Sequence, residues 1–126
     1  MAAIKISELS IGDRVLCEGE YWKISAINEE SVGLRVDSDY SVASFEECDP
    51  IPLTPEILEK NGLCVVEEDA DFSEYELFGS ENFSIFHIKG TLHYRLETPQ
   101  ASVVCWNVHQ LQHALRLAGV EKEIVV

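Results

Sequence analysis

The stretch Arg14-Val15-Leu16-Cys17-Glu18-Gly19-Glu20-Tyr21-Trp22-Lys23-Ile24-Ser25-Ala26-Ile27 decides how the first part of this chain folds. Two runs rich in apolar and aromatic residues flank Glu18-Gly19-Glu20, a segment of turn composition. Along the second run Trp22, Ile24 and Ala26 fall on one face, and Tyr21, Lys23, Ser25 and Ile27 on the other. Period two is the mark of a half-buried strand. Onward, Asn28-Glu29-Glu30-Ser31 reads as a turn, and Val32, Leu34 and Val36 line one face of the next strand. Asp37-Ser38-Asp39 turns again, Tyr40-Ser41-Val42-Ala43 is a short strand, and Phe45 is expected to fold back onto the core. Several short strands at close spacing predict a small meander or partly open barrel.

Working backward, Leu9-Ser10-Ile11-Gly12-Asp13-Arg14-Val15 resembles the opening of small SH3-like barrels, in which a glycine turns the chain into the first strand. Working forward, Asp49-Pro50-Ile51-Pro52-Leu53 is an extended connector, because residues before proline avoid the helical region. It divides the chain into an SH3-like β subdomain, residues 1–53, and an α+β subdomain, residues 54–126, with one shared core left open. The second part starts with a short helix: Thr54 is the N-cap, Pro55 takes the first helical position, and Gly62 is the stop. Ile57, Leu58 and Leu63 point inward.

Cys64-Val65-Val66 reads as a strand. Residues 67–81 hold seven acids and no base, with Phe72, Tyr75, Leu77 and Phe78 interleaved, and read as a solvated loop. Residues 83–88 and 91–96 flank Lys89-Gly90 as a hairpin with a two-residue turn. Val103-Val104-Cys105-Trp106 is a further strand. Asn107 caps a helix from Val108 to Ala118, stopped by Gly119. Val108, Leu111, Ala114, Leu115 and Ala118 form its apolar stripe, with His109, Gln112, His113 and Arg116 opposite. Residues 121–126 are expected to end as an edge strand. The fold class is therefore α+β: an N-terminal SH3-like barrel or meander, then a helix, antiparallel strands and a C-terminal helix.

Charge narrows the function. The chain has 126 residues, 9 Lys and Arg and 23 Asp and Glu, so its formal net charge is −14. A hydrophobic fraction of 46% belongs to a folded globule rather than an acidic disordered tail. No two basic residues are adjacent or three or four apart, which argues against nucleic acid, since phosphate binding needs clustered cations. The same repulsion disfavours an anionic membrane. The beginning of the chain lacks the apolar run of a secretory signal, so a cytoplasmic location with free thiols is expected.

Chemistry is sparse. His109 and His113 are spaced i, i+4 as in zincin helices, but Gln110 stands where the general-base glutamate is needed. Two solvated histidines on an exposed face is the expected state. His87 and His93 bracket the Lys89-Gly90 turn as a cross-strand pair of half-buried structural histidines. Asp69 does not open a calcium loop, because Glu74 replaces the glycine at the sixth position. Cys17, Cys48, Cys64 and Cys105 form no C-x-x-C pair, and Cys17, Cys64 and Cys105 fall in strands as core packing. No metal, cofactor or catalytic residue is expected. The candidate binding residues are Tyr21 and Tyr40 in the first part, and Asp69, Asp71, Phe72 and Tyr75 in the acidic run. Trp22 is assigned to the core.

Ile51-Pro52-Leu53-Thr54-Pro55-Glu56-Ile57-Leu58-Glu59-Lys60-Asn61-Gly62 and Val108-His109-Gln110-Leu111-Gln112 carry a further resemblance. With Leu9, Ile11, Gly12 and Val15 at the opening, and Gly119 and Glu121 at the close, the chain resembles a family of small, uncharacterised proteins of gut bacteria, their phages and mobile elements. It departs from that pattern after Gln112, where the family often has an aromatic-rich run. The resemblance implies a bacterial or phage-associated cytoplasmic protein and no catalytic residues. The expected function is a non-enzymatic protein-interaction module, a phage or mobile-element accessory protein with a basic protein partner. The alternatives are a small metal-dependent hydrolase using these histidines, or an acidic mimic of nucleic acid that binds a basic protein.

Overall fold

A computed structural model describes residues 9–77 and 83–126. The chain divides into two compact units, Met1–Ile51 and Pro52–Val126. The class is α+β, with two five-stranded antiparallel sheets and two helices.

The first unit contains β1 (Arg14–Cys17), β2 (Glu20–Ile27), β3 (Ser31–Val36), β4 (Asp39–Ser44) and β5 (Cys48–Asp49). A short 3-10 turn, Phe45–Glu47, precedes β5. The strand order is β4-β3-β2-β1-β5. Among the described residues no pairing joins β4 to β5, so this is a meander with an added strand rather than a closed barrel. Gly12 adopts φ 95°, a region open to glycine, and its N–H donates to the Ile24 carbonyl at 2.8 Å. The opening motif thus leads β1 into register beside β2. Leu9, Val15, Cys17, Ile24, Val32, Leu34, Ala43 and Cys48 form the core, with Trp22 and Ile27 packed against it. The side chain of Phe45 lies outside the described residues.

Ile27 corrects the simple alternation. The β2–β3 register slips between Ile24 and Ala26, so Ser25 is a bulge residue. The extra residue resets the pleat and brings Ile27, opposite Val32, to the core side. Cys17 and Cys48 stand directly opposite on β1 and β5. Both are buried free thiols, and burial pushes the Cys48 thiol up to about 11.

The second unit runs α1 (Pro55–Lys60), β6 (Leu63–Glu68), β7 (Phe72–Leu77), β8 (Ser84–Ile88), β9 (Tyr94–Glu97), β10 (Ser102–Cys105) and α2 (Val108–Leu117). The Thr54 hydroxyl accepts from the Ile57 N–H at 3.2 Å, Pro55 follows it, and Asn61 and Gly62 (φ 83°) end the helix. The strands lie in chain order, each pairing with its neighbour. The acidic stretch is a β-hairpin, not a loop: Leu63 pairs with Leu77 and Glu68 with Ser73. Cross-strand hydrogen bonding orders it despite the charge. Its expected continuation, Phe78 to Glu81, lies outside the described residues.

The β8–β9 hairpin exists, but its turn is longer than two residues. Ser84 pairs with Glu97 and His87 with Tyr94, which leaves residues 89–93 as the connection. Thr91 holds that connection, its N–H and hydroxyl both donating to the Ile88 carbonyl at 3.1 and 2.7 Å. The C-terminal segment forms no strand. Side-chain amides hold it instead. Gln112 accepts from the Ile124 N–H and donates to the Lys122 carbonyl at 2.7 and 2.8 Å. Asn61 accepts from the Val125 N–H and donates to its carbonyl at 2.7 and 2.8 Å. These bonds leave Ile124 1% exposed.

Candidate functional site

Register sorts the second sheet into two faces. Tyr75, Ile85 and Leu96 are aligned across β7, β8 and β9, and Ser73, His87, Tyr94 and Cys105 across β7 to β10. Except for half-buried His87, these residues are buried. Burial pushes Tyr94 and Cys105 each up to about 12. The opposite face should be polar if it meets only water. Instead its central row reads Glu74, Phe86, Arg95 and Val104, with Phe72 paired to Ile88 beside it.

These side chains frame a groove of about 250 Å³ lined by Phe72, Phe86, Ile88, His93, Arg95 and Glu97. Phe72 and Phe86 form its wall, ring centroids 6.1 Å apart and tilted by 52°. Trp106, half exposed, extends the aromatic surface by packing on His93 at 5.0 Å. Ile88 and Val104 are likewise about half exposed. Arg95 and Glu97 approach at 3.7 Å on the solvent side, a surface pair that contributes little stability, and Glu97 also accepts from the Ser102 hydroxyl at 3.3 Å. Ordinary monomers rarely leave an aromatic cluster of this kind on a sheet face.

The expected binding residues are dispersed. Phe72 lies in the groove. Asp69 and Asp71 form the β6–β7 turn. There the Asp69 carboxylate accepts from the Asp71 and Phe72 N–H groups at 2.7 and 3.0 Å, a shape-defining role. Lys89 braces the same turn, its Nζ donating to the Asp69 carbonyl at 2.6 Å and lying 3.5 Å from Glu68. Tyr75 is 3% exposed on the buried face, so it packs the core and presents no surface. Burial, and then the nearby Glu59, Glu68 and Glu56, raise its phenol above the ordinary range. Tyr21 and Tyr40 are exposed and belong to the first unit, whereas the residues lining this groove all belong to the second. Phe86, Ile88, Arg95 and Trp106 are not singled out by the sequence, and His93 is read there as a structural histidine rather than a groove residue. For Phe86 and Ile88 the signal is the run Ile85-Phe86-His87-Ile88, which places large apolar residues on both faces of one strand.

The histidines also differ from expectation. His87 stacks on Tyr94 at 4.4 Å and does not face His93. Its Nε2–H donates to the Thr91 carbonyl at 2.9 Å, the tautomer this acceptor requires. His109 is 1% exposed and Gln112 5%, so they belong to the buried side of α2 rather than a solvated face. The His109 and His113 rings lie edge to face at 6.1 Å. Among the described residues, no group of three or more His, Cys, Asp or Glu side chains is placed to hold a metal ion. Cys64 is exposed, correcting its assignment to the core, whereas Cys17 and Cys105 are buried.

No family model matches the chain, and no curated protein and no solved structure is significantly similar to it. Among the described residues, no helix is long and apolar enough to cross a membrane.

Proposed function

We propose that this protein is a non-enzymatic interaction module that docks an extended, basic segment of a partner protein, with one apolar side chain as anchor. The observation that carries this reading is the aromatic groove on the outer face of the second sheet. Its volume suits one large side chain better than a whole metabolite, since small-molecule sites run from about 300 to 1,000 Å³. Its surroundings supply the charge preference. Glu74 and Glu97 lie on the same face, the acidic β6–β7 hairpin flanks Phe72, and the chain as a whole carries −14. A basic segment would be steered toward such a surface and an acidic one repelled.

Two finer readings accompany it. The strand order of the first unit, with a 3-10 turn entering β5 and β5 returning to β1, supports an SH3-like relationship. The motifs at residues 51–62 and 108–112 support a place among phage or mobile-element accessory proteins, and the unbridged Cys17 and Cys48 suit a reducing cytoplasm.

Calorimetric titration with a short alternating Lys–Leu peptide tests the proposal. Saturable binding is expected, lost when glutamate replaces the lysines and weakened at least tenfold, about 1.4 kcal/mol, by Phe86→Ala. Ile88→Asp, at an exposed position, gives the same readout should Phe86→Ala unfold the protein. Unchanged affinity in both variants sinks the reading.

A further inference from the structure

The outer face of the first sheet carries a row that the linear sequence conceals. Register sets Arg14 of β1 opposite Lys23 of β2, and Lys23 opposite Arg35 of β3. Directly opposed residues share a face at about 5 Å. Three of the nine Lys and Arg side chains therefore stand side by side, although none are neighbours in sequence. All three line one cavity of about 480 Å³, together with Ser25 and Asp37.

The convergence of three cations on one cavity is joined by a second observation that points to a ligand. Ser25 is in the cavity wall and its hydroxyl is buried with no hydrogen-bond partner among the described residues. A buried polar atom left unsatisfied costs stability and calls for an explanation. Arg14 and Lys23 also engage other groups, so convergence rather than idle charge distinguishes the row.

We propose that this row binds a small phosphate-bearing molecule. Arg14 and Arg35 offer planar forks matched to phosphate oxygens, Lys23 a point charge between them, and Ser25 a hydroxyl donor. The cavity has the size of a small-molecule site. Three adjacent strands span about 10 Å, room for one or two phosphoryl groups. A nucleic-acid strand fits poorly, because the turns ending these strands carry Glu18 and Glu20, Glu29 and Glu30, and Asp37 and Asp39. Phosphates beyond the row would meet carboxylates. The overall charge does not forbid the site, since it is screened over about 8 Å at physiological ionic strength.

Titration of the isotope-labelled full chain with inorganic pyrophosphate, followed by amide NMR, tests the proposal. Saturable shifts centred on Arg14, Lys23, Ser25 and Arg35 are expected. Arg35→Gln, at an exposed position, should weaken binding about tenfold, and Arg35→Lys, which keeps charge but loses the fork, by less. Lys122→Gln, in the other unit, should change nothing. Three results would overturn the site: shifts spread evenly over Lys60, Lys89 and Arg116; unchanged affinity in Arg35→Gln; or an oligothymidylate binding more tightly than pyrophosphate.

Discussion

At the scale of single residues, Gly33 shows how tightly the first sheet is fitted. A Cβ there would lie 2.7 Å from the Tyr40 hydroxyl, 3.1 Å from Ser25 Oγ and 3.2 Å from the Ala26 Cβ. The absent side chain leaves the space that the Tyr40 hydroxyl occupies beside β3. Gly33→Ala is therefore expected to destabilise the protein by about 1 kcal/mol, measured by denaturant unfolding. In a Tyr40→Phe background, where the clashing oxygen is gone, most of that cost should vanish; purely additive effects would contradict the packing described. Residue-scale features were also the least legible in the sequence. Nothing in Tyr21 to Ile27 announces the bulge, because a slip of one residue is decided by the partner strand. Cys64 looks like a core residue by type, yet it faces solvent.

At the scale of elements, legibility followed the range of the interactions. The boundaries of α1 and α2 were readable because caps are local. Thr54 and Pro55 start α1, and Gln110 Oε1 of α2 accepts from the Trp106 and Asn107 N–H groups at 2.7 and 3.2 Å. The β8–β9 turn was misread because Lys89-Gly90 does not by itself determine which residues pair above it. The C-terminal segment was misread for a different reason. Its partners are Asn61 and Gln112, distant in sequence, and a polar position on an amphipathic helix does not disclose a buried amide. Removing that amide exposes its importance. Gln112→Ala strands the Ile124 N–H and the Lys122 carbonyl, and is expected to cost about 2 kcal/mol. Hydrogen exchange at Ile124 should accelerate by more than global unfolding explains. An unchanged rate there would mean the segment is held by something else.

At the scale of the whole molecule, composition determined charge and class, while the sites arose from juxtaposition across strands. Neither the aromatic groove nor the basic row exists until register is known, which is why the acidic run drew attention that Phe86 and Arg35 did not. Burial also gives the molecule an alkaline limit. Burial pushes the Cys48 thiol up to about 11 and the Cys105 thiol and Tyr94 phenol each up to about 12, all above the ordinary values that the unfolded chain regains. Above pH 9 the unfolded chain releases protons that the folded chain retains, so stability falls as pH rises through that window and is fully present below it. Unfolding midpoints recorded from pH 8 to 11 should decline, and Cys105→Ser should flatten part of the slope. Finally, strand order carries a kinetic consequence. In the second sheet every strand meets the one made just before it, so its pairings close short loops. The first sheet is complete only when Cys48 reaches Cys17 across the whole of β2, β3 and β4. That closure spans the longest loop of the first unit, so β5 is expected to be the last of its strands to acquire a partner.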